Sequence, residues 1–319
     1  MQTRDHAVDV MRGILIFLVV FGHTLERTAG WGSGSVRFVL ILIYAFHMPA
    51  FIFFNGMFAH SGHILRRCAG LLVTSIIFQL LYLGFTSAIG LTPDPWWWPY
   101  WVLWYLVALI WWTLFTPLIL KRPKISLVLS IILGLLAGLI PIDGNWFAYQ
   151  RALMFLPFYV VGVGWGKHLF RQAQKIPKIV GLVFLILFLI FCVAAFKVMP
   201  DPHWLFGNWN YTQLGVDWWT GVTGRAAVWV VSALGIAAAF VMFPRSSRLL
   251  EKWGRRSLPI FLLHVFVVTV LMAIVQAHGW QLGDGIRTIF VDFVFAVCVT
   301  FVTSLRVFSV GLSHLLHLK

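Results

Sequence analysis

Ten stretches of mainly apolar residues, most of them about as long as a bilayer is thick, divide this chain. They run over residues 9–27, 36–59, 68–90, 99–120, 125–142, 150–166, 178–197, 219–243, 257–275 and 285–309, the fifth and sixth being short. A spanning helix takes roughly 20 such residues. Hydrocarbon offers no partner to a peptide N–H or C=O, so a segment of this kind must satisfy its backbone internally. The expected fold is therefore an all-α integral membrane protein of about ten transmembrane helices. Composition agrees, because 61% of the 319 residues are hydrophobic and 11% are charged, against about half and about a quarter in a soluble domain. Breakers such as "TPDP", "PIDGN" and "MPDPHW" stand between the runs. With no internal repeat and no linker, one membrane domain over residues 1–319 is expected.

The net charge of +14 would suit nucleic acid, but its placement argues for a membrane. Fourteen of the 24 Lys and Arg fall in gaps after even-numbered runs, and six in or beside gaps after odd-numbered runs. Basic loops stay inside, so both termini are expected in the cytoplasm, with the protein multi-pass in the inner (plasma) membrane and no nucleic-acid partner. Cys68, Cys192 and Cys298 lack metal or redox spacing, so neither a metal site nor a disulfide is expected. The first run has no small-residue cleavage site after it and reads as a retained helix.

That first run, "DVMRGILIFLVVFGHTLER", carries Asp9, Arg12, His23 and Glu26. Eleven helical residues leave Arg12 and His23 offset by about 20° and separated by about 16 Å along one face. Glu26 is one turn beyond His23. It is placed to orient the imidazole, as acids do for catalytic histidines, or simply to sit solvated at the outer interface. His47, His264 and Asp292 also lie within apolar runs. Ionisable groups at such depths face a protein interior or a wet cavity. Together with Asp9 and Arg151 they point to a polar cavity inside the bundle, unless Asp292 simply pairs with an intramembrane arginine or histidine. Histidine titrates near neutrality and suits general-base work or acyl relay.

The gaps on the two sides differ in kind. The cytoplasmic gap "HSGHILRRCAG" offers His63, Arg66 and Arg67 to an anion, unless the two arginines serve orientation alone. The outer loops hold "PDPWWWPYW" and "DPHWLFGNWNYTQLGVDWW". Single Trp residues anchor at interfaces, but the second loop is denser than anchoring requires. Flat aromatic faces beside hydrogen-bonding groups suit a sugar ring, so Trp204, Trp209 and Tyr211 are candidate acceptor-binding residues.

These stretches resemble the acyltransferase-3 family of polytopic membrane acyltransferases, with closest likeness to its fucose 4-O-acetylase-like branch. "VDVMRGILIFLVVFGH" is similar to the family's first helix and "FHMPAFIFFNGMF" to its second. "LWYLVALIWW", "RALMFLPFYVVGVGWGK" and "SLPIFLLHVFVV" resemble its fourth, sixth and late Leu-His helices. The resemblance implies O-acyl transfer, usually of acetyl, from cytoplasmic acyl-CoA to a hydroxyl of an envelope glycan or lipid-linked sugar. The donor, acetyl-CoA, is then a substrate whose phosphates are expected at Arg66, Arg67 and His63, and no bound cofactor is expected. The resemblance also implies that Arg12 and His23 are the essential pair, His47 and His264 recurrent intramembrane histidines, and Arg151 the arginine that opens the sixth motif. Two features depart from the pattern: the cytoplasmic gap lacks Arg-x-x-Arg, and Asn55 stands where Ser is usual. No outer domain follows the tenth run, so transfer is expected to be completed by the membrane domain or a separate extracytoplasmic partner. The alternative is a proton-coupled transporter of a glycolipid or small solute, against which stands the lack of an inverted repeat. A structural scaffold leaves the buried histidines unexplained.

Overall fold

The computed structural model describes residues 6–315 except 33, 93, 94, 200 and 279–282, and the side chains of 313–315 are not described. Pro93 and Asp94 of "PDPWWWPYW", and the tail cations Arg4 and Lys319, thus lie outside the described residues. The helices are α1 (His6–Thr28), α2 (Ser35–Tyr44), α3 (His47–Met57), α4 (Ile64–Ala88), α5 (Trp104–Lys121), α6 (Pro123–Leu136) and α7 (Tyr149–Ala173). They continue as α8 (Lys178–Val198), α9 (His203–Phe206), α10 (Trp218–Met242), α11 (Arg248–Arg255), α12 (Ser257–Ala277), α13 (Ile286–Thr303) and α14 (Arg306–Leu315). Among the described residues there is no strand, and nine helical segments are long and apolar enough to cross a membrane. The protein is an all-α multi-pass membrane protein.

Four local features differ from the sequence reading. The fifth run, expected to be short but spanning, is an apolar helix below spanning length, Pro123–Leu139 including its last 3-10 turn. The sixth is not short, because α7 continues through Lys167 and Arg171. Lys and Arg are good helix formers whose stems tolerate apolar surroundings. The second run breaks at Ala45–Phe46 into α2 and α3. Pro49 explains that break: it lacks an N–H and its ring clashes with the carbonyl four residues back, that of Ala45. Finally, α11 went unread because its eight residues are too few and too polar for an apolar run.

The chain groups into two compact units. The first comprises Met1–His47, Gly84–Thr92 and Phe243–Lys319. Here α1 packs on α2, α11, α12 and α13. Its contact with α11 is backbone on backbone: a Cβ at Gly13 would lie 2.0 Å from the Leu250 carbonyl oxygen, and one at Gly254 1.8 Å from that of Asp9. Close approach through glycine is how membrane helices gain dispersion contact when lipid is as apolar as their own side chains. Phe17 stacks on Trp253 at 5.9 Å, and Phe293 meets Phe17 and Phe21 edge-on. The N-terminus of α2 is capped from another segment. Asp284 accepts from the Val36 and Ser35 backbone N–H groups at 2.9 and 3.0 Å and from the Ser35 hydroxyl at 3.0 Å. Those backbone donors hold its carboxyl below the ordinary carboxylate range.

The second unit comprises Met48–Leu83 and Pro93–Met242. Gly56 of α3 and Gly162 of α7 again permit close approach, with Cβ positions 2.3 Å from the Tyr159 carbonyl oxygen and 2.2 Å from that of Phe53. Trp112 donates its indole N–H to Ala152 O at 2.9 Å, and Thr116 bonds the Tyr159 hydroxyl at 2.8 Å. The buried Arg225 of α10 donates to Gly134 O at 2.8 Å and to Trp209 O at 3.4 Å, with the Tyr211 ring 4.9 Å below its guanidinium. Gln150 adds a bond to Trp209 O at 2.9 Å. The loop carbonyl of Trp209 is thereby bonded from both α7 and α10.

Candidate active site

His23 lies on α1 one residue after Gly22, and the missing side chain there matters. A Cβ on Gly22 would meet the Tyr44 ring at 3.0 Å and Ile43 at 3.3 Å. The last turn of α2 therefore sits directly against α1 beside His23. The break that follows α2 turns Tyr44 and His47 toward each other, their rings meeting edge-on at 5.0 Å. Tyr44 also lies 6.4 Å from the His23 ring and donates its hydroxyl proton to Glu26. The phenol is thus shared ground between Glu26, His23 and His47.

From the other side, α12 brings His264. Its Nε2 is 2.9 Å from Nδ1 of His23, with the two rings nearly parallel at 12° and their centroids 5.2 Å apart. Nδ1 of His264 is 2.9 Å from the Ile260 carbonyl oxygen. A carbonyl only accepts, so Nδ1 of His264 carries the proton. In the neutral pair Nε2 of His264 is then the acceptor, and His23 must donate from Nδ1. The lone pair of His23 is left on Nε2. His47 repeats the pattern, with Nδ1 2.8 Å from Ile43 O, where it also satisfies a carbonyl at the helix break. Backbone carbonyls four residues back thus fix the tautomers of both buried histidines.

The residues singled out from sequence fall as follows. His23, Glu26, His47 and His264 come together, all within the first unit. Arg12 does not join them: α1 is continuous, so it stands about 16 Å along the helix from His23. It is half-buried and has no hydrogen bond or ion pair among the described residues. Asp9 is buried in the first turn of α1, its backbone against Gly254, where a carboxylate suits the helix dipole. Asp292 is buried on α13 and accepts from the Thr28 hydroxyl at 2.5 Å rather than meeting a histidine or arginine there. The remaining candidate residues belong to the second unit. Arg151 stacks over Trp104 at 4.9 Å. Arg66 and His63 are exposed, while Arg67 donates to His60 O at 2.8 Å. Trp204 and Trp209 are half-buried, with Trp209 stacked on His203 at 3.5 Å. Tyr211 is the exception among the loop aromatics. It is 3% exposed, packs on Gly138 and Gly221, and donates to Leu135 O at 2.8 Å, so its ring holds the loop down instead of facing an acceptor.

Sequence reasoning missed Tyr44. Its signal was present, since Tyr44 lies three residues before His47 on a helical path and is the one hydroxyl-bearing residue of "FVLILIYAFHMP". Among the described residues no group of three or more His, Cys, Asp or Glu side chains is arranged to hold a metal ion.

A family model described as an acyltransferase domain, that of the acyltransferase-3 family, matches residues 5–307. No curated protein and no solved structure matches the chain.

Proposed function

Because this chain belongs to the acyltransferase-3 family of membrane acyltransferases, we propose that it moves an acyl group, acetyl by family habit, from acyl-CoA to a hydroxyl of an envelope glycan or lipid-linked sugar, with His23 at the reacting centre. The observation that carries this reading is the hydrogen-bonded run from Ile260 O through His264 to His23, which leaves a basic nitrogen at Nε2. Nε2 takes the proton of the acceptor hydroxyl as its oxygen forms the new C–O bond to the thioester carbon. The C–S bond then breaks, and the thiolate leaves as CoA-SH with the proton His23 held. While His23 is protonated, its Nδ1–H stays bonded to Nε2 of His264. That bond plays the part an acid plays for a catalytic histidine elsewhere. The same nitrogen also serves attack on the thioester to form an acyl-histidine that the acceptor then opens.

Arg12, at the opposite end of the same helix face, is proposed to steer the donor. The half-buried indoles of Trp204 and Trp209 are proposed to meet the sugar. The basic loops support an inner-membrane setting with cytoplasmic termini.

The test uses membranes carrying the full-length protein and acetyl-CoA labelled in the acetyl group. Release of CoA with label entering envelope material supports the reading. Normal transfer by a His23→Ala protein would remove His23 from the reaction and return the transporter to first place.

A further inference from the structure

The second unit has a marked imbalance of charge. Its acids are Asp94, Asp143, Asp201 and Asp217, all in gaps after odd-numbered apolar runs. The opposite gaps hold Arg66, Arg67, Lys121, Arg122, Lys124, Lys167, Arg171, Lys175 and Lys178, and not one carboxylate. Orientation needs an excess of cations on one side, not the absence of every counter-charge.

Part of this charge surrounds a cavity of about 480 Å³. Its walls include Leu120, at the foot of α5, and the last turns of α7 with Lys167, His168, Arg171 and Lys175. No acid lines it. Lys167 and Arg171 are four residues apart on one helix, a spacing at which like charges repel. Lys175 lies another four residues on, just past the end of α7. The α7 C-terminus favours a cation, which accounts for one of these and not for three in a row. None of the three has an ion pair among the described residues. The side chains of Lys167, Arg171 and Lys175 are all exposed.

We propose that this cavity binds phosphate esters, and specifically the phosphate-bearing end of the acyl-CoA donor. The inference rests on the reading of the protein as an acyl-CoA-dependent enzyme and adds a site to it. It moves donor binding from Arg66 and Arg67, neither of which lines the cavity, to α7. Three cations at four-residue intervals match the spread of a ligand with several phosphates better than a single one, and charge-assisted bonds to phosphate are the stronger kind. The other source of the same chemistry is an anionic lipid headgroup at the inner interface.

Titration calorimetry on the full-length protein in phosphatidylcholine nanodiscs separates the two. The ligands are CoA and pantetheine, which lacks phosphates. The variants are Lys167→Gln/Arg171→Gln/Lys175→Gln together and, as control, Lys178→Gln, which does not line the cavity. The triple variant is expected to bind CoA at least ~10-fold more weakly with pantetheine unchanged, and the control to bind both normally. A second arm compares thermal stability in phosphatidylglycerol nanodiscs. If the triple variant keeps its CoA affinity and loses only the stabilisation by phosphatidylglycerol, the cavity holds a lipid phosphate and the donor assignment falls. If neither arm changes, the whole proposal falls. Wild-type protein that binds no CoA would instead refute the enzymatic reading, and the lipid arm alone would then decide the cavity.

Discussion

Nδ1 of His23 stands 2.9 Å from Nε2 of His264, and the far nitrogen of His264 is held by a backbone carbonyl. A backbone group that cannot change its protonation thereby sets which nitrogen of His23 is basic. His264 acts through His23 and is a positioning residue. Replacing it with Gln keeps an oxygen that accepts from the His23 Nδ1–H, while Leu keeps bulk without an acceptor. His264→Leu is expected to lower kcat by roughly 100-fold and to displace the acid limb of the pH–rate profile. His264→Gln is expected to lose about tenfold or less and to keep the profile nearer to wild type. Equal losses with unchanged profiles would mean that His264 only fills space.

Tyr44→Phe removes one proton donor and little else. The ring contacts with His47 and His23 remain, and Gly22 still leaves room for the ring. A hydrogen bond to a charged acceptor contributes about 1.5–3 kcal/mol, so kcat is expected to fall about tenfold or more if Glu26 must be held in place. Thermal unfolding measured alongside separates this from general loosening. A lower Tm with normal kcat per folded molecule would take Tyr44 out of the reaction.

Gly254→Ala drives a methyl group into the Asp9 carbonyl oxygen, and neither partner is a side chain that can swing away. Overpacking of this kind costs about 1–3 kcal/mol. Its Tm in detergent is expected to drop clearly, whereas Gly70→Ala, whose Cβ meets nothing within 4 Å, is expected to leave it unchanged or raise it. An unchanged Tm for Gly254→Ala would mean that α1 and α11 do not touch as described.

Much of the fold was legible because hydrocarbon leaves a chain few choices, and long apolar runs announce themselves. The α2–α3 break was less so, since Pro49 sits early in a helix, where proline is usually tolerated. The amphipathic α11 was invisible to an apolar count although its Ser247 cap and charge pattern are in the sequence. At the site, helical spacing linked Arg12, His23 and Glu26 because all three lie on one helix. It said nothing of the pairing of His23 with His264, which are 241 residues apart. That pairing comes from packing of α12 on α1. Tyr211 illustrates the opposite failure: composition marked it as a sugar platform, while Gly138 and Gly221 had made room to bury it.

The last prediction concerns the N-terminal end of α2, whose C-terminal end carries Tyr44. Asp284 caps that helix through the Val36 and Ser35 amides, which hold its carboxyl below the ordinary range. In the unfolded chain the same carboxyl takes up a proton near its ordinary value of about 4. Over the interval between the two values the unfolded state binds more protons than the folded one, so stability rises with pH there. The contribution is therefore complete above about pH 4–5 and is lost as pH falls through the lower folded value. Asp284→Asn removes the charge at every pH, so its Tm deficit against wild type is expected at neutral pH and should shrink as pH falls below about 4. Hydrogen exchange at the Ser35 and Val36 amides gives a local reading of the same event. Exchange should quicken in wild type under acid and be quick in the variant throughout. A Tm deficit that stays constant from neutral to acid pH would show that the Asp284 charge does not hold α2.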